Sequence, residues 1–367
     1  MPGSLVKVAG LFALSCPKGI ADMNDIIARK KSFLEKITLF LLFLGVSFSI
    51  CYWAIAKYDV YGDYKACGDA RYYIQMSKLE YKDIPQPYRY RILGPSIVYL
   101  LNKYFKVEGF LSKYYEDVDK KMIQLNFGIV NIISLACTAF LLFYYCKNLG
   151  FSSYEGLIAS FLFFTSFFVV NYYSTPILDS LSSFFMMAGF YAVLRGSIIG
   201  LGLSFLFGML TKETTLTILL LIILEERKII SKKIIACLPG ILVYWIVVQC
   251  VGTAPGFSFY RSLHSLEAFK GISLHSIRSF NFYFLIEHIQ TFMFLWVLFL
   301  YALFKCKKPL FIKRALWLLL LMVIMIPITG TFAVGRVSFY LFPVVIPLAL
   351  LTLRKILRAP EVTNREE

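Results

Sequence analysis

Long apolar runs separated by short charged segments make up most of the chain. Runs long enough to cross a membrane, or nearly so, lie at residues 37–56, 122–145, 154–173, 177–194, 197–224, 234–250, 286–304, 313–331 and 333–353. A helix rises 1.5 Å per residue, so about 20 apolar residues cover a hydrocarbon core of about 30 Å. Run 197–224 exceeds one simple span and carries Lys212 and Glu213 in its middle. It therefore predicts two short helices meeting at Thr211–Glu213, with the charges placed where the helix is interrupted. The total is about ten crossings, an all-α integral membrane fold.

The basic residues orient these runs. Arg29, Lys30, Lys31 and Lys36, then Arg227, Lys228, Lys232 and Lys233, then Lys305, Lys307, Lys308, Lys313 and Arg314, and finally Arg354, Lys355 and Arg358 flank apolar runs. Cytoplasmic loops retain Lys and Arg, which puts these segments and both termini inside. Residues 58–121 and 251–285 are then outer loops. Parity closes if residues 90–105 do not cross. That run is short, contains Pro95 and Lys103, and predicts an interfacial or re-entrant helix. The expected organisation is a cytoplasmic segment at 1–36, a membrane domain at 37–353 and a cytoplasmic tail at 354–367.

Composition agrees with that pattern. The 367 residues are 59% hydrophobic and 16% charged, with a mean hydropathy of +0.69. This is more apolar surface than one soluble core needs, and the surplus faces lipid. The net charge of +16 is dispersed between apolar runs rather than gathered on one face, which argues against nucleic acid as a partner. Eight cysteines (Cys16, Cys51, Cys67, Cys137, Cys146, Cys237, Cys250 and Cys306) show no CxxC spacing, so they read as small buried apolar residues. Residues 4–16 are apolar but short, and read as a soluble extension or as preceding a true start at Met23, with a cleaved signal as the alternative.

Ionisable groups at membrane depth are costly and tend to face a cavity, so Asp179, Lys212, Glu213 and Arg336 form a candidate set. The orientation above places all four near the outer face. Lys212 and Glu213 have a second reading, neutralising each other or pairing with Asp179.

The first outer loop contains Gly68-Asp69-Ala70-Arg71-Tyr72-Tyr73, then Pro85-Gln86-Pro87-Tyr88-Arg89-Tyr90-Arg91-Ile92-Leu93-Gly94-Pro95. An acid, a Tyr pair three residues on, a Pro-Tyr stretch and then YRYR-I-L resemble the first outer loop of GT-C glycosyltransferases. The similarity is greatest to the branch with GPI-anchor mannosyltransferases and bacterial surface-polysaccharide enzymes. Thr211-Lys212-Glu213-Thr214 resembles a Lys-containing turn of several members, and Gly335-Arg336 before Phe342-Pro343 resembles a late-helix arginine. The resemblance implies a juxtamembrane helix after the YR motif and a sugar donor linked to polyprenyl phosphate or diphosphate. The acceptor would be a glycan, lipid or protein, with transfer at the outer face of an inner cytoplasmic membrane.

It assigns Asp69 as catalytic base and puts Lys212 or Arg336 on the donor phosphate; Arg89 and Arg91, one strand or half-turn apart, are the local arginines suited to the same phosphate. Asp63, Arg71, Tyr72, Tyr73, Asp179 and Glu213 would support them. A base near the acceptor hydroxyl and a planar arginine fork on the leaving phosphate suit that chemistry. Simpler roles compete: Asp69 pairing with Arg71 or Arg89, and Arg89 and Arg91 snorkelling to headgroups. Asp59 and Asp63 are four apart and form no DxD pair, so the sequence indicates no metal, and a divalent ion stays an open question. Tyr260, Arg261, His264, Lys270, His275 and Arg278 lie in the later outer loop, and the histidines have no metal-ligand spacing. A lipid-linked saccharide transporter or flippase and an O-antigen-type polymerase or ligase are the alternative functions, although no internal repeat is apparent and the informative cluster is early.

Overall fold

A computed structural model describes residues 18–57, 68–85, 87–105, 118–224, 230–251, 282–329 and 334–357. Among these residues the secondary structure is helical throughout. In chain order the helices are α1 (Lys18–Lys57), α2 (Ala70–Met76), α3 (Leu93–Tyr104), α4 (Val118–Asn148), α5 (Ser153–Phe164), α6 (Phe167–Asn171), α7 (Asp179–Arg195), α8 (Ile198–Thr211), α9 (Thr217–Leu224), α10 (Ile230–Val251), α11 (Phe282–Phe292), α12 (Leu295–Lys305), α13 (Leu310–Thr329), α14 (Val334–Ser338) and α15 (Phe342–Leu357). Tight three-residue-period turns cover Tyr88–Tyr90, Glu213–Leu216 and Phe339–Leu341.

The chain divides into two units, residues 1–42 and 43–367. The described part of the first is helical, because α1 begins at Lys18; Arg29, Lys30, Lys31 and Lys36 therefore lie on a helix and not in a loop before one. Apart from the N-terminal span, everything below concerns the second unit.

Among the described residues four helices are long and apolar enough to cross a bilayer: Ser32–Tyr52, Lys121–Asn148, Ile230–Val251 and Gly335–Leu357. A fifth is added if Ile286–Phe292 and Leu295–Lys305, bent by 80°, count as one span. This is the character of a multi-pass membrane protein. In the last span 83% of the apolar window is buried, against 17% in Ile230–Val251, so Gly335–Leu357 is a central element. Ile230–Val251 instead presents Leu238, Leu242 and Trp245 outward.

Three apolar runs are broken, two where the sequence suggested one continuous span and one where it predicted a break. Run 154–173 divides at Thr165 and Ser166, whose hydroxyls donate back to the carbonyls of Phe161 and Leu162; this local bonding competes with the helix ladder. Run 286–304 bends at Met293, which takes φ 45°, and the Trp296 indole reaches back across the bend to donate to the His288 carbonyl at 2.7 Å. Run 197–224 breaks where expected. Helix α8 ends at Thr211, and Lys212 is extended at φ −164°, ψ 134°.

Residues 90–105 form the 12-residue helix α3, about 18 Å long and too short to cross. Together α2, α3, α4 and the approach to α7 bury Tyr73, Ile74, Val98, Phe127, Leu178 and Leu181 in one apolar cluster. Each fully buried large side chain there contributes about 1.5–3 kcal/mol. A Cβ on Gly94 would lie 2.2 Å from a Leu178 methyl. That close approach seats the first loop against the start of α7, next to Asp179.

Candidate functional site

Asp179 opens α7, where a carboxylate meets the positive end of the helix. Its side chain is 1% exposed and carries several partners. Lys212 Nζ donates to Oδ1 at 2.5 Å, and the Tyr340 hydroxyl donates to the same oxygen at 2.6 Å. Lys212 also reaches the Tyr340 oxygen at 3.2 Å. The break at Lys212 is what frees this lysine from a helical path and turns it inward.

Arg336 joins Asp179 to the first loop. Its Nε lies 2.9 Å from Asp179 Oδ2, and its Nη2 donates to Asp69 Oδ2 at 2.6 Å. Neither Arg336 Nε nor Asp179 Oδ2 makes an aligned hydrogen bond, so that contact is held by charge alone, whereas the contact to Asp69 is a directed bond. The four residues form one chain of alternating charge, Asp69, Arg336, Asp179 and Lys212. Arg336 is itself placed by its neighbour: Gly335 N donates to Glu287 Oε2 at 3.2 Å and Thr291 donates to the Gly335 carbonyl at 3.3 Å. A Cβ on Gly335 would meet the Phe168 ring at 2.7 Å and the Glu287 carbonyl at 2.8 Å.

A second arm runs beside the first. Arg91 forks onto both oxygens of Glu213, with Nε to Oε2 at 3.0 Å and Nη2 to Oε1. Its Nη1 donates to the Tyr73 hydroxyl at 2.8 Å. This bidentate geometry is the strong form of an arginine–carboxylate pair. Tyr88 links the arms: its ring stacks on Tyr72 at 5.1 Å and lies under the Arg91 guanidinium at 5.0 Å. Burial, with the Asp69 carboxylate beside it, pushes the Tyr88 phenol up to about 12, so it stays a protonated donor facing Asp69 across the physiological range.

The structure thus brings together Asp69, Tyr72, Tyr73, Arg91, Asp179, Lys212, Glu213 and Arg336. Two competing readings resolve. Asp69 pairs with neither Arg71 nor Arg89, and of the two partners weighed for Lys212 it takes Asp179 and not Glu213, because the extended backbone at Lys212 sends the two neighbours to different partners. Arg71 sits outside the ion chain; it donates to the Tyr72 hydroxyl at 2.5 Å and covers that ring at 4.6 Å.

Arg89 is buried but turns away from Arg91. Its Nη1 donates to the Val251 carbonyl at 3.3 Å, its Nε has no partner among the described residues, and neighbouring Tyr90 packs edge-on against Tyr244. Asp59, Asp63 and the later-loop residues Tyr260, Arg261, His264, Lys270, His275 and Arg278 lie outside the described residues.

Sequence reasoning missed Tyr340, Tyr88 and the Glu287–Gly335 contact. Tyr340 had a usable signal: it stands four residues after Arg336, which places both on one helical face. Tyr88 lies within the loop motif itself.

Three carboxylates and three cations cancel in charge across the two arms; Asp69 and Arg336 are the accessible end of the first, with side chains 20% and 15% exposed, and Glu213 is the accessible member of the second, at 32%. An arrangement with a reachable carboxylate beside a reachable guanidinium can accept a proton and hold an anion in one place. Among the described residues no group of three His, Cys, Asp or Glu could hold a metal ion. The chain matches no protein-family model, no curated protein and no solved structure.

Proposed function

We propose that the protein is a membrane glycosyltransferase of GT-C type, transferring a sugar from a polyprenyl-phosphate donor to a glycan, lipid or protein acceptor. The observation that carries this reading is the bond from Arg336 to Asp69 across 267 positions of sequence. The base and a phosphate-binding cation assigned independently by resemblance meet at the accessible end of a buried ion chain.

In this reading Asp69 takes the proton of the acceptor hydroxyl as its oxygen attacks the anomeric carbon, and Arg336 stays on the departing phosphate. Asp179, itself held by Lys212 and Tyr340, holds Arg336 from behind, and Arg91 with Glu213 fixes the tyrosine wall beside Asp69. About ten crossings, termini in the cytoplasm and the loop at 58–121 on the outer side of an inner membrane complete the proposal. Exposed Leu100, Tyr104 and Phe105 give α3 an apolar face suited to the interface.

The test is a transfer assay in membranes, with pooled polyprenyl-phosphate sugars, extracted glycan acceptors and mass-spectrometric readout. Wild type is expected to form product, and Asp69→Asn to lose it while still inserting. Equal product from both would remove Asp69 as base.

A transporter of lipid-linked saccharide is the second reading, favoured by the helix breaks at Lys212 and Met293, since broken helices line many transport sites. Movement of donor across vesicles with no acceptor present, undiminished in Asp69→Asn, would select it.

A further inference from the structure

We infer that Arg336 is an exchangeable partner: in the resting protein it occupies Asp69, and the donor's phosphate draws it away, so that arrival of the donor exposes the base. This rests on the glycosyltransferase reading and adds a sequence of events to it.

The partners of the two acids are unequal. Asp179 is 1% exposed and keeps Lys212 and Tyr340 on Oδ1 whether or not Arg336 stays. Among the described residues Asp69 has Arg336 as its ion-pair partner, through one oxygen, keeps the Tyr88 phenol as a neutral donor when Arg336 leaves, and is 20% exposed. The bond that can be given up without stranding a buried charge is therefore the one to Asp69. An oxygen held by a guanidinium has its lone pair directed at that donor and is a poor proton acceptor; with Arg336 turned to an anion, Oδ2 is free. Among the cations assigned to the phosphate, Arg91 and Lys212 have side chains 7% and 6% exposed and are tied to Glu213 and Asp179. Arg336, at 15%, is the one a ligand meets first.

The charge movements during transfer favour the exchange. The acceptor O–H bond breaks and its proton goes to Asp69 Oδ2. The acceptor oxygen forms the new bond to the anomeric carbon, and the carbon–oxygen bond to phosphate breaks with its electron pair on the phosphate oxygen. Asp69 goes from one negative charge to none, while the phosphate goes from one, as a diester, towards two, as a monoester. A guanidinium placed on the phosphate is thus left on the group that gains charge.

The experiment is equilibrium binding of farnesyl phosphate to the purified full-length protein in detergent, with farnesol as the phosphate-free control. The proteins are wild type, Asp69→Asn, Arg336→Gln and the double variant. Removing the competing carboxylate is expected to tighten farnesyl phosphate binding about tenfold, leave farnesol binding unchanged, and give no gain when Arg336 is also replaced. Equal or weaker binding by Asp69→Asn overturns the exchange while leaving the transferase reading standing, and so does a gain that persists without Arg336. Binding that depends on the phosphate in neither wild type nor Asp69→Asn overturns both. Asp69→Asn with wild type tests the claim even if the Arg336 variants fail to fold.

Discussion

Two charged sites sit near opposite ends of the last span, and they are built differently. Arg354 and Glu155 form a closed pair. Arg354 donates from Nε to Oε1 at 2.5 Å and from Nη2 to Oε2 at 2.7 Å, adds the Gly150 carbonyl at 3.2 Å and covers the Phe151 ring at 4.6 Å. Glu155 also caps the start of α5, accepting from Ser152 N at 2.7 Å, with Ser152 returning the contact. Both partners serve the same joint between α4, α5 and α15.

Arg336, eighteen positions earlier on the chain and so roughly 27 Å away for a continuous helix, divides one charge between two carboxylates. One of its contacts lacks hydrogen-bond alignment. A pair that saturates its own groups has a structural role. A guanidinium shared between a buried and an accessible acid has capacity left for a ligand.

The contrast can be sharpened first through stability at the buried acid. Asp179→Asn leaves Lys212 and Arg336 without their common carboxylate, and loss of one partner from a buried pair costs about 3–5 kcal/mol. Unfolding in detergent should show a loss of that size, and a change below about 1 kcal/mol would mean that the ion chain is not what holds this region together. Next in size is an effect on position. Gly335→Ala places a Cβ against the Glu287 backbone and must shift Arg336, so transfer should fall about ten- to a hundredfold while insertion is kept. Unchanged transfer would show that the Glu287–Gly335 contact does not set the arginine. The smallest effect is expected at the other end. Glu155→Gln keeps the cap in part and loses the charge, lowering stability by about 1–2 kcal/mol in this partly exposed pair and leaving transfer per folded molecule near that of wild type.

The sequence made the ingredients of the site legible because ionisable groups inside apolar runs are rare and expensive. Asp179, Lys212, Glu213 and Arg336 stood out on that ground, and the break at Lys212 followed from run length plus charge. The pairing was not legible. Which acid Arg336 reaches depends on how α14 is held against α11 by Glu287 and Thr291 and how α3 seats on Leu178, contacts between segments far apart in sequence with no spacing to announce them. Tyr340 was hidden among 24 tyrosines, although its spacing from Arg336 was available. The bend at Met293 had no Gly or Pro to announce it, and the Trp296 indole spans it by a bond to a carbonyl eight residues back. The break at Thr165–Ser166 could have been read, since two adjacent hydroxyl residues in an apolar run offer their own carbonyl partners.

The central claim is that the accessible end of the ion chain does chemistry while the Glu155–Arg354 joint holds structure. The most direct measurement is transfer per folded molecule in Asp69→Asn and Glu155→Gln membranes, assayed side by side with pooled polyprenyl-phosphate sugars. The expected result is a loss of about a hundredfold or more for Asp69→Asn, with a fall in stability no larger than that of Glu155→Gln, and near wild-type transfer for Glu155→Gln. Wild-type transfer in Asp69→Asn, or equal losses in both variants tracking their stability, would contradict the account.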